Sequence, residues 1–296
     1  MFIYCAMLCA TCFAKEQARQ VQAQNSTEAD QQISDFSLSG FGDKGKKAWD
    51  LSGKSADIFN DVIKLKDLVG NLYGDKEDVK LTADTGDFDK GNGKIHVERN
   101  VVITTSGGAK LTTDSLDWDR VNQVVSTKDV VNIKRENMAT TARGALGEPS
   151  LNKMKLEKEV KVEIEPENKA DKIDSPKEQS KIIITCDGPL DIDYAKNVAT
   201  FHNNVKVDRG DSQIYSDLME VYFGSNKGEK AESDKAPSLM GSKIDKIIAR
   251  GNVKTVRGEN ITYSDEAVYN GADKKITLSG RPRLIIYSTE DFKGSM

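Results

Sequence analysis

The sequence predicts an all-β protein, a solenoid-like stack of antiparallel strands built from repeated two-strand units. Three observations carry this. First, short stretches such as "KIHVERNVVI", "VNIKR", "KVEIE", "NVKVDR", "KITLSG" and "RLIIY" alternate apolar with polar residues, the period of half-buried strands. Second, the residues between such stretches are those of tight turns: Lys90-Gly91-Asn92-Gly93, Ser106-Gly107-Gly108, Gly251-Asn252 and Asn270-Gly271-Ala272-Asp273. Third, the chain repeats itself. "KLTADTGDFDKGNGKIHVERNVVI" (Lys80 to Ile103) returns thirty residues later as "KLTTDSLDWDRVNQVVSTKDVVNI" (Lys110 to Ile133).

Further copies extend the repeat. "KSADIF" carries Asp57 where later units carry Asp84 and Asp114, and "ITCDGPLDIDYAKNVATFHNNVKV" restates the unit from Ile184 to Val207. "IYSDLMEVYF" from Ile214 and "ITYSDEAVY" from Ile261 follow, with "KIIARGNVKTV" and "KITLSGRPRLIIY" as their second strands. This gives about seven units and roughly fourteen strands or more, each unit needing its neighbours to bury an apolar face. The best helical candidate, "KSADIFNDVIKLKDLVG", also reads as two strands with a turn at Asn60-Asp61.

Composition agrees. Of 296 residues, 37% are hydrophobic and 30% charged, too polar for a thick double-layered core but suited to one layer of sheet with one apolar face. The net charge of −4 gives no global positive field for nucleic acid.

In chain order, residues 1–14 ("MFIYCAMLCATCFA") form an apolar run too short to span a bilayer as a helix. They read as a signal peptide or a short membrane leader, with Cys12 and Ala14 as the small residues before a cut at Lys15. Three of the four cysteines lie there, so after cleavage Cys186 remains alone and no internal disulfide forms. Residues 15–32 are a polar tether and 33–164 a first β module. Residues 165–181, charged and carrying Pro166 and Pro176, are a linker. Residues 182–290 form a second β module with a polar insertion at 224–243, and 291–296 a tail.

No catalytic pattern appears. His96 and His202 lack a second ligand at metal spacing. Cys186 occupies a slot where other units place Ala83, Thr113 or Ser216, so a small strand residue is expected rather than a nucleophile. The recurring Asp57, Asp84, Asp114, Asp187, Asp217 and Asp265 are expected to accept backbone N–H groups at strand ends or turns. In "DFD", "DWD" and "DID" the carboxylates share one face of a strand, turning Phe88, Trp118 and Ile192 to the other. No phosphate loop, nucleophile elbow or zinc pattern is present, and no cofactor or metal is expected. These residues argue against an enzyme.

The stretch "SDFSLSGFGDKGKKAWDLSGKSADIF", with the following "VKLTADTGDFDKGNGKIHVERNVVITTSGGAKLTTDSLDWD", resembles the periplasmic part of the LptC family. The second half, from "IIITCDGPLDIDYAKNVATFHNNVKV" to "KITLSGRPRLII", resembles LptA, the OstA-like family. The resemblance covers roughly residues 34 to 290 and implies two OstA-like modules in series. Each would be an open V-shaped β-jellyroll whose apolar inside holds the acyl chains of lipopolysaccharide. The implied partners are lipopolysaccharide, an inner-membrane lipopolysaccharide-export ABC transporter, an outer-membrane lipopolysaccharide-assembly protein and, end to end, further copies. The implied place is the periplasm, with the N-terminus as a possible inner-membrane tether. The chain departs from the family in joining both module types in one polypeptide and in its short leader.

Strand alternation then gives the inward-facing groove candidates. In the first half these are Leu81, Ala83, Ile95, Val97, Val101, Ile103, Leu111, Leu116, Trp118, Val131 and Ile133. In the second they are Ile184, Cys186, Leu190, Ile192, Tyr194, Val205, Val207, Ile214, Val253, Ile261, Tyr263, Ile276, Leu278, Leu284 and Ile286. Phe36, Leu38 and Trp49 at one end, and Leu284, Ile285 and Ile286 at the other, are the expected edges for docking by strand addition. The competing readings are a structural or adhesive secreted β-solenoid with no lipid ligand and, further off, a carbohydrate-active β-helix.

Overall fold

The structure is a computed structural model. It describes residues 29–42, 45–74, 77–119, 122, 124–135, 137–147, 153–165, 181–193, 196–210, 212–224, 244–273 and 275–285. The leader, most of the tether and linker, the polar insertion and the tail lie outside the described residues, as do Tyr194 and Ile286.

The protein is all-β, and the 17 strands of the described residues form one sheet. The first nine are β1 (Gln31–Phe41), β2 (Lys47–Ile58), β3 (Val62–Leu72), β4 (Val79–Asp89), β5 (Lys94–Thr105), β6 (Lys110–Asp119), β7 (Val124–Arg135), β8 (Met138–Gly147) and β9 (Lys153–Ile164). Each pairs antiparallel with its chain neighbour. The candidate helix at 54–70 is the end of β2, a turn and most of β3. Turns also close the hairpins at Asp89–Lys94 and Thr105–Lys110, where Gly93 and Gly108 take φ of +70° and +85°.

β10 (Ile182–Cys186) and β11 (Leu190–Asp193) act as one interrupted strand, since both pair with β9 on one side and with β12 (Val198–Arg209) on the other. The meander continues through β13 (Ser212–Phe223), β14 (Ile244–Arg257) and β15 (Asn260–Asn270). It ends in a second interrupted strand, β16 (Lys275–Ser279) and β17 (Arg283–Ile285), both paired with β15. β1 and β16–β17 are the two edges of the sheet. The interruption of the last strand contains Pro282, a residue that cannot donate to a ladder and is tolerated at an edge.

Nearly every strand carries an irregularity near its middle. Register shifts fall at Glu98/Val101 in β5, Thr127/Val130 in β7, His202/Val205 in β12 and Arg250/Val253 in β14. The residues skipped there include left-handed pairs: Arg99 and Asn100 (φ 62° and 53°), Asn203 and Asn204 (62° and 52°), Gly251 and Asn252 (76° and 48°). Such bulges bend a strand and raise its local twist. Because they recur in strand after strand, they form one seam across the whole sheet. Gly251-Asn252, expected as a turn, belongs to this seam inside β14. Its two left-handed residues suit a hairpin turn and a bulge equally well, and the long ladder on both sides decides for the bulge.

The recurring Asp is corrected by the same seam. Asp84 accepts Asn100 Nδ2 at 2.7 Å, Asp217 accepts Asn252 Nδ2 at 2.8 Å, and Asp187 accepts Asn204 Nδ2 at 2.5 Å. These aspartates therefore clip bulges in adjacent strands through side-chain amides, Asp84 and Asp217 from mid-strand and Asp187 from the break between two strand segments, and not through backbone N–H groups at a turn. Asp57 accepts instead from Gln32 Nε2 at 2.8 Å, on the edge strand β1.

The buried apolar residues form two groups. The first joins Phe36, Ala56, Leu65, Leu68, Ala83, Val97, Val101 and Leu116. The second runs without a break from Val131 through Leu156, Val160, Ile184, Leu190 and Phe201 to Val253 and Ala267. The strands on either side of the linker thus share one packed core. Val160 and Val162 of β9 lie in register with Cys186 and Ile184 of β10. On the surface of this joint Lys181 pairs with Glu163 at 2.8 Å and Glu165 at 2.9 Å.

Candidate functional site

The inner face of the sheet is the candidate site. Register places Leu81, Ala83, Ile95, Val97, Val101, Ile103, Leu111, Leu116, Trp118, Val131 and Ile133 on one face across β4 to β7. Ile184, Cys186, Leu190, Ile192, Val205, Val207, Ile214, Val253, Ile276 and Leu278 share it in the second half. Phe88 and Trp118 flank Ile95 on this face, while Asp87 and Asp117 flank His96 on the other.

Two expected members fall elsewhere. Ile261 is in register with Val256, and Tyr263 with Lys254, both on the outer face. Thr262 and Ser264 take the inner positions, opposite Thr255 and Val253. The repeat itself carried the signal. Aligning "IYSD" at 214–217 with "TYSD" at 262–265 puts Thr262, not Ile261, in the place of Ile214. Alternation also passed over several inner residues that are among the most buried: Leu156 (0% exposed), Val160 (1%), Phe201 (3%) and Met219 (0%). In "KMKLEKEVKVEIE" the period-two signal was present for both: Leu156 and Val160 keep one phase across the irregularity at Glu159 (φ 52°), with the exposed Lys158 between them.

Exposure along the inner face is graded. Residues beside the seam are buried: Val101 at 0%, Val131 at 0%, Val205 at 1% and Val253 at 1%. Toward the strand ends the same face opens. Leu81, Ile95, Ile103, Leu111, Trp118, Val207, Ile214 and Leu278 are half-buried. Near the last edge Ile276 is 55% exposed. The face is closed along one line and open away from it. A few polar groups sit on it. The Thr113 and Thr127 hydroxyls are 3.5 Å apart, and the buried Trp118 Nε1 and the Oγ atoms of Ser216 and Ser264 have no partner among the described residues.

Of the expected edge residues, Leu38 (54% exposed), Leu284 (61%) and Ile285 (41%) are open. Phe36 is not an edge contact: it is 8% exposed, with its ring over Gly53 of β2. Trp49 is half-buried, its indole laid over Gly40. Both rings cover the backbone of a neighbouring strand where no side chain fills the space.

The ionisable groups lie mainly on the outer face. His96 Nδ1 meets Asp117 Oδ1 at 2.6 Å and Nε2 meets Glu98 Oε1 at 2.9 Å. Desolvation alone would lower its pKa, but the hydrogen bonds to Asp117 and Glu98 outweigh it and the pKa is raised. His202 Nε2 is 3.1 Å from Asp191 Oδ2. Asp50 is held down at about 2 by Asn71, then Tyr73 and Lys47. Burial pushes the Cys186 thiol up, opposite to what activates a nucleophile. Among the described residues no group of three or more His, Cys, Asp or Glu could hold a metal ion, and no helix is long and apolar enough to cross a membrane.

An inner face of this kind, apolar and graded in exposure, has the chemistry to bind long apolar chains. Residues 2–165 match the family model described as lipopolysaccharide-assembly, LptC-related. The chain belongs to the LptC-related family. Residues 188–295 match a second model, LptA/(LptD N-terminal domain) LPS transport protein. The LptC-related match ends in the charged segment after β9, and the LptA-related match begins at the break between β10 and β11. A comparison with curated proteins gives no match.

Proposed function

We propose that this chain is a non-catalytic periplasmic bridge that carries lipopolysaccharide from an inner-membrane ABC transporter toward an outer-membrane assembly protein. Acyl chains would lie along the inner face of the sheet. The observation that carries the reading is the graded exposure of that face, with Val101 sealed and Ile103, two residues on, half-open. The membership in lipopolysaccharide-transport families supports the cargo.

Energetics suit transit. At about 0.8 kcal/mol per CH₂, a twelve-carbon chain fully buried is worth roughly 9 kcal/mol. Several enclosed chains would be trapped. A face open along its length leaves part of each chain in water and lets neighbouring positions bind alike. Direction then comes from ATP hydrolysis at the transporter, and no catalytic residue is needed. The unpaired edges at β1 and β16–β17, with Leu38, Leu284 and Ile285 exposed, are the surfaces for end-to-end docking by strand addition. A retained leader at residues 1–14 would place the first edge near the inner membrane.

The test is a photo-crosslinking amino acid at Ile103 or Ile214, both half-buried and inward, against Val102 on the outer face. In cells with ATP, adducts with lipopolysaccharide are expected at the inward sites and fewer at Val102. Equal labelling on the two faces, or none, refutes the reading.

A further inference from the structure

One rim of the inner face carries a repeated arginine. Three units end alike: Val131-x-Ile133-x-Arg135, Val205-x-Val207-x-Arg209 and Val253-x-Thr255-x-Arg257. Residues two apart on a strand share a face, so each arginine follows two inward residues and stands on the inner face at the strand end. Arg135 lies in register with Met138, Arg209 with Ser212, and Arg257 with Asn260. Met138, Ile164 and Ile182 fill the same rim between the first arginine and the second. At about 4.8 Å per strand, Arg209 and Arg257 stand roughly 10 Å apart across β13.

The partners of these guanidinium groups set them apart. On the outer face Arg250 pairs with Glu220 at 2.7 Å and Glu266 at 3.0 Å, and Arg143 with Glu159 at 3.4 Å. Among the described residues no ion pair or hydrogen bond joins Arg135, Arg209 or Arg257 to the protein. Arg135 is only 7% exposed, and its Nε has no partner. Glu77 stands beside Arg135 on the same side of Gly107, but it accepts the Gly107 N–H at 2.8 Å and makes no ion pair with the guanidinium. Asp208, beside Arg209, points outward to Gln213 and Lys206. Glu259, in the turn after Arg257, is exposed. A guanidinium held nine-tenths out of water without a hydrogen bond or ion pair is costly, and its planar fork matches the oxygens of a phosphate.

We infer that this rim is a phosphate subsite: Arg135, Arg209 and Arg257 receive the phosphate groups of a phosphorylated lipid whose acyl chains lie on the adjoining apolar face. The inference rests on the lipid-carrying reading above. It assigns the headgroup to one side of the groove and so orients the cargo. The recurrence of the arginine from β7 to β14 offers a phosphate more than one resting place along its path.

The full chain is tested against three probes: a bis-phosphorylated lipid A in phosphatidylcholine vesicles, the same glycolipid after dephosphorylation, and inorganic phosphate alone. The expected result is that the phosphorylated lipid binds roughly tenfold tighter or more than its dephosphorylated form, the size of one charge-assisted hydrogen bond. Arg209→Gln/Arg257→Gln, at two exposed positions, should reduce that ratio without harm to folding. Adding Arg135→Gln should bring it near one. Equal binding of both lipids to the unmodified chain overturns the subsite and leaves the groove standing. Binding of neither overturns the groove and the subsite together. A phosphate preference that survives all three substitutions overturns the assignment to these arginines. Full competition by millimolar inorganic phosphate shows a free-anion site and overturns the headgroup assignment.

Discussion

The seam predicts an ordered pair of stability losses at Asn252. Its φ is 48°, where a side chain with Cβ costs about 1–2 kcal/mol unless it is Asn, Asp or Gly. Its Nδ2 donates to Asp217 at 2.8 Å on an exposed surface, a contact worth about 0.5–1 kcal/mol after solvent screening. Asn252→Ala loses both terms, about 2 kcal/mol in all. Asn252→Gly keeps the left-handed backbone and loses the hydrogen bond plus some chain entropy, about 1 kcal/mol. At roughly 2–4 °C per kcal/mol for a chain of this size, the melting temperature should fall by about 4–8 °C for Ala and 2–4 °C for Gly. Asp217→Ala removes only the acceptor and should match the Gly variant. Thermal melts followed by far-UV circular dichroism measure all three. Equal losses for Ala and Gly, or a larger loss for Gly, would refute the claim that the bulge depends on a left-handed residue.

Three other outcomes are expected. Leu156 is fully buried between Ala145 and Leu190, so Leu156→Ala should cost about 2–5 kcal/mol in urea unfolding; a loss under 1 kcal/mol would show that the shared core is loose. The raised pKa of His96 means that the folded state holds its proton more tightly, so its stabilising contribution is complete below the ordinary value of 6.5 and lost as pH rises through the folded value. Imidazole NMR should place the midpoint above 6.5 and Asp117→Asn should lower it; an unchanged midpoint in the variant would remove Asp117 as a cause. A protease site placed between residues 166 and 180 should give two fragments that stay together in gel filtration until denatured, because β9 pairs with both β10 and β11. Separation of the nicked halves in native buffer would refute a shared core.

Much of this was legible in the sequence because a strand writes its two faces in alternate residues. The all-β class, the hairpin at Lys90–Gly93 and the inward side of "KIHV" and "NVVI" follow from period two alone. The bulges are where that reading slips. In β15 the bulge shifts the phase by one residue, from Ser264 to Ala267, and nothing in "ITYSDEAVY" marks whether Ile261 or Thr262 points in until the unit is aligned on its Tyr-Ser-Asp. The same ambiguity hid the role of Gly251-Asn252, since left-handed residues serve turns and bulges alike. Burial was the least legible property. Val101 and Ile103 are equivalent by alternation, yet one is sealed and the other half-open, because exposure depends on distance from a seam made by all the strands together.

The arrangement of the cores bears on what a joined chain gains. Separate modules meeting edge to edge would each close their own core and touch through a strand ladder. Here the second core begins at Val131 in β7 and crosses to Ala267 in β15, so the last strands of the LptC-related part and the first of the LptA-related part bury each other's apolar residues. Leu156 opposite Leu190, and Val160 opposite Cys186, are contacts within a core and not a rim. The inner face therefore passes from one part to the other with no exposed edge between them. An acyl chain moving along it would cross this joint on the same kind of surface that it occupies on either side. On the proposed bridge reading, the costly step, passage between one unpaired edge and another, would fall at β1 and at β16–β17.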